Sequence, residues 1–247
     1  MKLYALLLAL STTLLITPLP STVINWEDVK PGAGGVRQFL RGSTDVFASL
    51  DVAGETLDAG GQITSYPLKG SEELVIIKEG NLVVTIGNTV QKLGPGSIAY
   101  VLSGDTRSYA NAGRTPVSFY RLRFRAATPD DTRGKEAGAS FTRDWNQVEK
   151  KTTDKGFRRE FFNRATAMCT KFEMHVTTLN AGLSSHAPHT HPEEEIILMV
   201  RGHAEMEIDG KRHPIMPGSL SYVATKVPHA LHNVGSGEAE YFAFQWK

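Results

Sequence analysis

Cysteine is almost missing from this chain: Cys169 is the only one in 247 residues. An intrachain disulfide is therefore excluded, even in a compartment that would permit one. An excess of one charge is also missing. There are 27 Lys and Arg residues against 26 Asp and Glu, a net charge of +1, and no basic run stands out. The whole-molecule field gives no reason to expect nucleic acid or an anionic membrane as a partner. Long hydrophobic runs are lacking too. The stretch Leu3–Ile16 is interrupted by Ser11-Thr12-Thr13 and falls short of the ~20 apolar residues of a membrane helix. It follows Lys2 and precedes Pro18 and Pro20, the pattern of an export leader. Residues 1–21 are expected to be a signal peptide cut near Ser21, leaving a periplasmic or secreted protein with no membrane contact; an uncleaved anchor is the alternative. No cysteine lies near the cut to carry a lipid. Removing Lys2 takes the 27 basic residues to 26, equal to the 26 acidic ones.

What is present is a globular composition: 40% apolar residues, 21% charged, and 23 glycines that imply many turns. The length allows one large domain or two ordinary ones, and an internal repeat decides between them. Shifted by 122 residues, the chain aligns with itself without a gap from about Arg37 to Phe124. Arg37 meets Arg159, Phe39 meets Phe161, and Leu57-Asp58-Ala59-Gly60 meets Leu179-Asn180-Ala181-Gly182. Glu72-Glu73 meets Glu194-Glu195, Pro95-Gly96-Ser97 meets Pro217-Gly218-Ser219, and Asn111 meets Asn233. Trp26 and Trp145 correspond once a three-residue difference upstream is allowed. Two copies of one domain follow. The expected organisation is a first domain at 22–125, a linker at 126–144 rich in small, charged and turn-forming residues, and a second domain at 145–247.

Both copies read as all-β. In the second, an apolar run Glu195–Val200 ends at Gly202, Ala204–Ile208 alternates, and Asp209-Gly210 is a hairpin turn signal. The turn Pro217-Gly218, a strand Leu220–Ala224 and a last strand Ala239–Trp246 follow. Only Asp144–Lys151 has any helical pattern, and it is short. Cys169, in the run Met168–Phe172, is expected to be a small buried hydrophobe.

The eight histidines, His175, His186, His189, His191, His203, His213, His229 and His232, all lie in the second copy. Packing of two like barrels does not require that imbalance; a site present in one copy and absent from the other explains it. His189 and His191 are two apart, so an extended chain points both to one face, and Glu195 shares their parity if the chain stays extended across Pro192. His229 brings a third imidazole from another segment. Three imidazoles and a carboxylate suit one divalent transition ion: Mn, Fe, Co, Ni, Cu or Zn.

The run Gly182…His189-Thr-His191…Glu195…Gly202 resembles the first motif of the cupin superfamily, and Gly210…Pro217-Gly218…His229…Asn233 is similar to the second, with a longer gap before His229. The resemblance covers both copies. It implies a bicupin: two tandem jelly-roll barrels, with metal bound inside the second by His189, His191, Glu195 and His229 and two coordination positions open. A single metal-bearing C-terminal barrel is similar to that of the bicupin ureidoglycine aminohydrolases, whose ligand set is instead led by glutamate. In the first copy His189 becomes Pro67, His191 becomes Lys69 and His229 becomes Arg107, and only Glu73 survives. That barrel should hold no metal, and its cationic side chains can pair with Glu73 or bind an anion.

The other polar residues have plainer expectations. Glu194 should point away from the site onto a solvated face, and Glu193 or Glu194 supplies acid–base chemistry only if the loop folds inward. His186 should lie in the entry loop, His203 and His213 at the surface, His232 at a surface or interface, and His175 in the core or an interface. Asn233 should satisfy backbone groups, while Tyr222 and Arg159, each with an identical partner in the first copy, should serve the fold. Two functions remain: a metal-dependent enzyme on a small molecule, of dioxygenase, decarboxylase, isomerase, lyase or aminohydrolase type, or a non-catalytic protein that binds a sugar or other small ligand. An open, polar cavity around the two free metal positions favours an enzyme; large apolar side chains filling both favour structure or storage. Pairing of barrel edges into a homodimer is a further expectation.

Overall fold

The computed structural model describes residues 18–247. The leader lies outside the described residues as far as position 17, whereas Pro18 to Ser21 belong to the fold. Leu19 donates its N–H to the Ser43 carbonyl (2.8 Å), and the Ser21 hydroxyl accepts from the Ala224 N–H (2.9 Å). Removal of residues 1–21 would take away both of these contacts. Among the described residues, no helix is long and apolar enough to cross a membrane.

Each copy is a jelly-roll barrel made of a larger and a smaller antiparallel sheet. The larger sheet of the first barrel runs in the order Phe141–Arg143, Ile98–Val101, Glu72–Glu79, Val117–Ala126, Phe47–Leu57, Arg37–Gly42. That of the second runs Thr22–Ile24, Leu220–Val223, Glu194–Arg201, Ala239–Trp246, Phe172–Leu179, Gly156–Arg164, Lys151–Thr153. The strands Ala204–Ile208 and Ala239–Trp246 occupy the expected residues, and Asp209 and Gly210 turn the hairpin with positive φ (49° and 72°), as a two-residue type I′ turn requires.

The two barrels trade their first strands. Thr22–Ile24 pairs with Leu220–Tyr222 of the second barrel, and Phe141–Arg143 pairs with Ile98–Tyr100 of the first. The stretch 126–144, expected as a linker, therefore contributes a strand to the first barrel and also a short helix, Asp131–Glu136, capped by Asp130, whose carboxylate accepts from the Arg133 N–H (2.9 Å). The expected helix Asp144–Lys151 is only one 3₁₀ turn, Trp145–Gln147. Packing decides this, because Trp145 must leave the turn and dock on the other barrel. A Cβ on Gly96 would lie 2.4 Å from the Trp145 ring, and one on Gly218 would lie 3.0 Å from Trp26. The repeated Pro-Gly turns, each with a positive-φ glycine, are thus the seats of the exchanged tryptophans. Arg37 and Arg159 complete each seat by stacking on Trp26 and Trp145 (5.2 and 4.6 Å to the ring centroids) and donating to the Val29 and Val148 carbonyls.

Alternation along the strands divides the apolar residues into three cores. One parity fills the barrel interiors: Val75, Ile77 and Phe119 in the first, Ile197, Met199 and Tyr241 in the second. The other parity, including Leu74, Tyr100, Phe124, Phe172, Phe244 and Trp246, forms one large core between the barrels. Each fully buried Leu or Phe there contributes about 1.5–3 kcal/mol. The strands Glu72–Glu79 and Glu194–Arg201 are buried on both faces over their first six residues, which is why they read as unbroken apolar runs.

Each of these strands opens with two buried glutamates facing opposite ways. Glu194 was expected on a solvated face, but that face is the inter-barrel core. Its carboxylate accepts from Trp246 Nε1 (2.6 Å), the Tyr222 hydroxyl (3.1 Å), the Thr44 hydroxyl (2.7 Å) and the Asp45 N–H (2.7 Å), the last two belonging to the first copy. Its counterpart Glu72 accepts from the Tyr100 hydroxyl (2.6 Å) and, across the interface, from the Ala167 N–H (3.2 Å). Burial pushes the Glu72 carboxyl up. Cys169 is buried beside it as expected, its thiol pushed up to about 12 by desolvation.

The clamp at Glu194 is testable. Glu194→Ala leaves four donors without their acceptor and should lower the stability of the two-barrel unit by about 3 kcal/mol, read as a fall in the urea unfolding midpoint.

Candidate metal centre in the second barrel

The segment Gln62–Pro67 is an edge strand in the first barrel, paired with Thr106–Ala110 across one irregularity between Ile63 and Tyr66. Its counterpart 122 residues later is opened into a loop that touches the strand His229–Asn233 only at two isolated bridges, Ser184 to His232 and His189 to His229. The loop stays ordered because its polar groups are tied down. Ser185 N–H donates to the Leu231 carbonyl (2.8 Å), Lys155 Nζ donates to the Ser184 and Ser185 carbonyls (3.1 and 2.9 Å), and His232 is held between the Ser184 hydroxyl (2.7 Å) and Glu207 (2.8 Å). Beyond it the chain bends at Pro192-Glu193. That bend is fixed from the opposite loop, where Lys226 N–H donates to the His191 carbonyl and Thr225 Oγ1 to the Pro192 carbonyl (2.9 and 2.8 Å). Lys226 adopts φ 59° to do so, at the position where the first copy has Gly104.

This framework brings His189, His191 and His229 together, with one ligand atom of each within 4.8 Å of the others. Their ring centroids are 4.8 to 5.3 Å apart. Glu195 lies beneath them on the doubly buried strand, its Oε2 2.8 Å from His229 Nε2 and 3.6 Å from His191 Nε2. Gln245 steadies the other oxygen, donating from Nε2 to Oε1 (3.1 Å).

The imidazoles are prepared as ligands. Nδ1 of His191 is 2.9 Å from the Glu193 carbonyl, and Nδ1 of His229 is 2.9 Å from the Val227 carbonyl. A carbonyl only accepts, so each Nδ1 carries a proton and, in the neutral ring, each Nε2 presents its lone pair, the usual arrangement of metal-bound histidine. His229 Nε2 is buried and makes no hydrogen bond, although Glu195 Oε2 is 2.8 Å away. An acceptor facing an acceptor at that distance is stable only with positive charge between them, a proton or a metal ion. The donor set, three imidazole nitrogens and one carboxylate, fits a divalent transition ion. The charge pattern agrees. Burial pushes the Glu195 carboxyl up, but the adjacent imidazoles outweigh it and hold the group well below the usual carboxylate range. Glu195 pulls His191 upward, whereas burial and the neighbouring rings push His189 down.

Other expectations resolve individually. His186 lies in the exposed loop, with its ring 3.9 Å from that of His189. Asn233 donates to the Leu179, Asn180 and Gly237 carbonyls (3.0, 3.0 and 2.9 Å), a backbone role. Glu193 is paired with Lys247 (2.9 Å) and Lys171 (3.5 Å), and Glu194 with the inter-barrel donors, so neither turns inward as an acid–base group. Gln245 carries no expectation from the sequence, and His175 is expected in the core or an interface. Both face the same interior cavity of about 380 Å³ as His189, His229 and Glu195, together with Thr177, Tyr241 and Arg158. The repeat offset carries the signal: Gln245 and Ala243 stand where the first copy has Arg123 and Arg121, and His175 where it has Ala53.

In the first barrel those arginines fill the corresponding space. Glu73 accepts from Arg107 Nε (2.8 Å) and Nη2 (3.1 Å), from Arg123 Nη2 (2.8 Å) and from the Tyr109 hydroxyl (2.6 Å), and Arg121 pairs with Glu55. Arg107 takes the place of His229 at 1% exposure, while Lys69 lies exposed. The Glu73 carboxylate is thus neutralised by fixed guanidinium groups rather than left to a cation.

The model of the cupin domain family matches residues 55–122 and 175–244, one match in each barrel. No curated protein matches the sequence. Among solved structures, AerE from Microcystis aeruginosa is 14% identical with a TM-score of 0.67, covering 94% of this chain and 99% of its own. A mutant of Bacillus subtilis oxalate decarboxylase OxdC is 14% identical with a TM-score of 0.66 (92% and 78% covered). A mutant salicylate 1,2-dioxygenase from Pseudoaminobacter salicylatoxidans, in complex with gentisate, is 12% identical with a TM-score of 0.69 (91% and 81% covered). At such identities the likeness is one of fold.

The Glu73 cluster predicts a pH dependence. Burial pushes the Glu73 carboxyl up, but Arg107, Tyr109 and Arg123 outweigh it, and the net shift is downward. A depressed folded value gives stability that is present above the unfolded carboxylate range, near pH 4.3, and is lost as pH falls through the folded value. Glu73→Gln should therefore show a flatter fall of the urea midpoint between about pH 5 and pH 3 than the native chain.

Proposed function

The chain belongs to the cupin domain family, and on that premise we propose that its second barrel holds one divalent transition metal through His189, His191, His229 and Glu195 and acts as an enzyme on a small molecule. The observation that carries this reading is the pair of locked imidazoles, with the buried His229 Nε2 facing Glu195 and making no hydrogen bond. When bound, the ion supplies a Lewis acid able to polarise a carbonyl or carboxylate oxygen and to activate water or dioxygen. Glu195 lowers the net charge of the site, and Gln245 fixes its carboxylate. The Glu193 and Val227 carbonyls hold two rings in the liganding tautomer. Leu179, Ile197, Met206 and Leu231 form the dry part of the wall, while Arg158, Thr177 and Tyr241 offer polar contacts.

This lining supports an enzyme over a storage or structural protein, because an open cavity of about 380 Å³ with polar groups in its wall adjoins His189 and His229. The range of chemistry is that of a dioxygenase, decarboxylase, isomerase or aminohydrolase, and the similar folds include a decarboxylase and a dioxygenase. The metal is one of Mn, Fe, Zn, Ni or Cu. The leader pattern of residues 1–21 supports export to the periplasm or medium, which cell fractionation with N-terminal sequencing tests, and pairing into a homodimer is tested by light scattering.

Elemental analysis of the purified chain should find close to one transition metal per chain. Replacing both His189 and His191 by Ala should remove it, and Arg107→Ala should leave the count unchanged; two ions per chain would contradict the asymmetry of the barrels. Gln245→Ala should weaken metal affinity by about tenfold. Chelation should lower the melting temperature of the native chain, since an ion at a hundred times its Kd contributes about 2.7 kcal/mol.

A further inference from the structure

His175 sits on the strand Phe172–Leu179, whose even-numbered residues Phe172, Met174 and Val176 enter the inter-barrel core. Its own side chain therefore faces the opposite way, into the cavity of the histidine cluster. It is 8% exposed, and its Nδ1 is buried without a hydrogen-bond partner. Glu173 Oε1 is 3.8 Å from it, beyond hydrogen-bond reach. Burial, with Arg158 adding to it, lowers the ring to about 4, so a neutral imidazole faces the cavity at neutral pH. Leaving a polar atom unpaired in that position is unfavourable, and the first barrel does not carry the cost, because the matching residue there is Ala53.

The sheet register shows what His175 faces. His175 pairs with Ala243, and Ala243 pairs with Ile197, two residues along the strand from Glu195. Two inter-strand steps span about 10 Å. The residue between is an alanine, where the first barrel has Arg121 paired with Glu55. The second copy thus has a cleared row, with the Glu195 strand and its imidazole cluster at one end and an unpaired imidazole at the other, inside one cavity of about 380 Å³.

We propose that this cavity is a two-point ligand site, in which a small organic molecule places chelating oxygen atoms at the His189–His191–His229 cluster and a neutral hydroxyl, carbonyl or amide group, several atoms away, in a hydrogen bond to His175. The proposal rests on the metal-binding reading above and adds the far contact and the ligand class: a chelating head joined by a short spacer to an uncharged polar end. His175 is a specificity residue here, since it reads the end of the molecule away from the metal.

The test uses the full chain loaded with zinc and two hydroxamate probes of equal length, 4-hydroxybutanohydroxamate and pentanohydroxamate, measured by titration calorimetry. The native chain should prefer the hydroxyl-ended probe by about fivefold, one net hydrogen bond. His175→Leu should erase that preference without changing the zinc content, and His175→Asn, which keeps a polar atom near the Nδ1 position, should restore much of it. Should the Leu variant fail to fold, His175→Gln, which moves the polar group away from that position, takes its place with the same expected loss. An unchanged ratio in the variant, no preference in the native chain, or no binding of either probe by zinc-loaded protein overturns the proposal. Failure of the native chain to hold zinc overturns the metal reading itself, and the metal count separates the two outcomes.

Discussion

A carboxylate withdrawn from water must meet positive charge or several donors, and this protein withdraws four of them in the same way. Glu72-Glu73 and Glu194-Glu195 begin strands buried on both faces, so in each pair one carboxylate enters the inter-barrel core and the other enters a barrel. A buried, unpaired charge would cost several kcal/mol, and much of the surrounding architecture is explained by how each is met. Toward the interface, both copies use neutral donors, partly from the other copy. The clamp is therefore reciprocal, and the barrels are joined by it as well as by the exchanged strands and the tryptophans seated on Gly96 and Gly218.

Toward the barrel interior, the copies diverge. The first meets Glu73 with Arg107, Arg123 and Tyr109, fixed groups that also occupy the volume. The second meets Glu195 with two imidazoles and Gln245, which leave lone pairs facing inward and space beside them. Replacing guanidinium by imidazole exchanges a permanent cation for a ligand, and replacing Arg121 and Arg123 by Ala243 and Gln245 exchanges filled volume for a cavity. The interior is filled in one barrel and open in the other, on larger sheets whose registers correspond.

The cavity opens where the second copy loosens its edge. The paired edge strand Gln62–Pro67 of the first barrel becomes a loop with two bridges, interrupted by Pro188 and followed by Pro192. The loop carries His189 and His191 and is held by polar contacts rather than by a full ladder. The site thus combines a rigid floor, Glu195 and His229 on strands, with a mouth set by side-chain hydrogen bonds. His175 lies in the floor, on the far side of the row that Ala243 leaves clear.

The duplication, the all-β class, the cupin motifs and the gathering of histidines in one copy were legible in the sequence, because strand alternation, turn glycines and motif spacing are local and recur at a fixed offset. Those same rules pointed to His189, His191, Glu195 and His229, of which the structure gathers the three imidazoles within 4.8 Å with Glu195 beside His229. They did not reveal that Glu194 faces a second barrel rather than solvent: alternation says which way a side chain points, not what lies there. Nor did they reveal the strand exchange, the 3₁₀ turn at Trp145 or the unpaired nitrogen of His175, since each depends on residues more than a hundred positions away or on neighbouring strands. Sequence periodicity assigns faces, whereas the partner of each face, and so whether a buried polar group is satisfied or left for a ligand, follows from how the two barrels and their sheets come together.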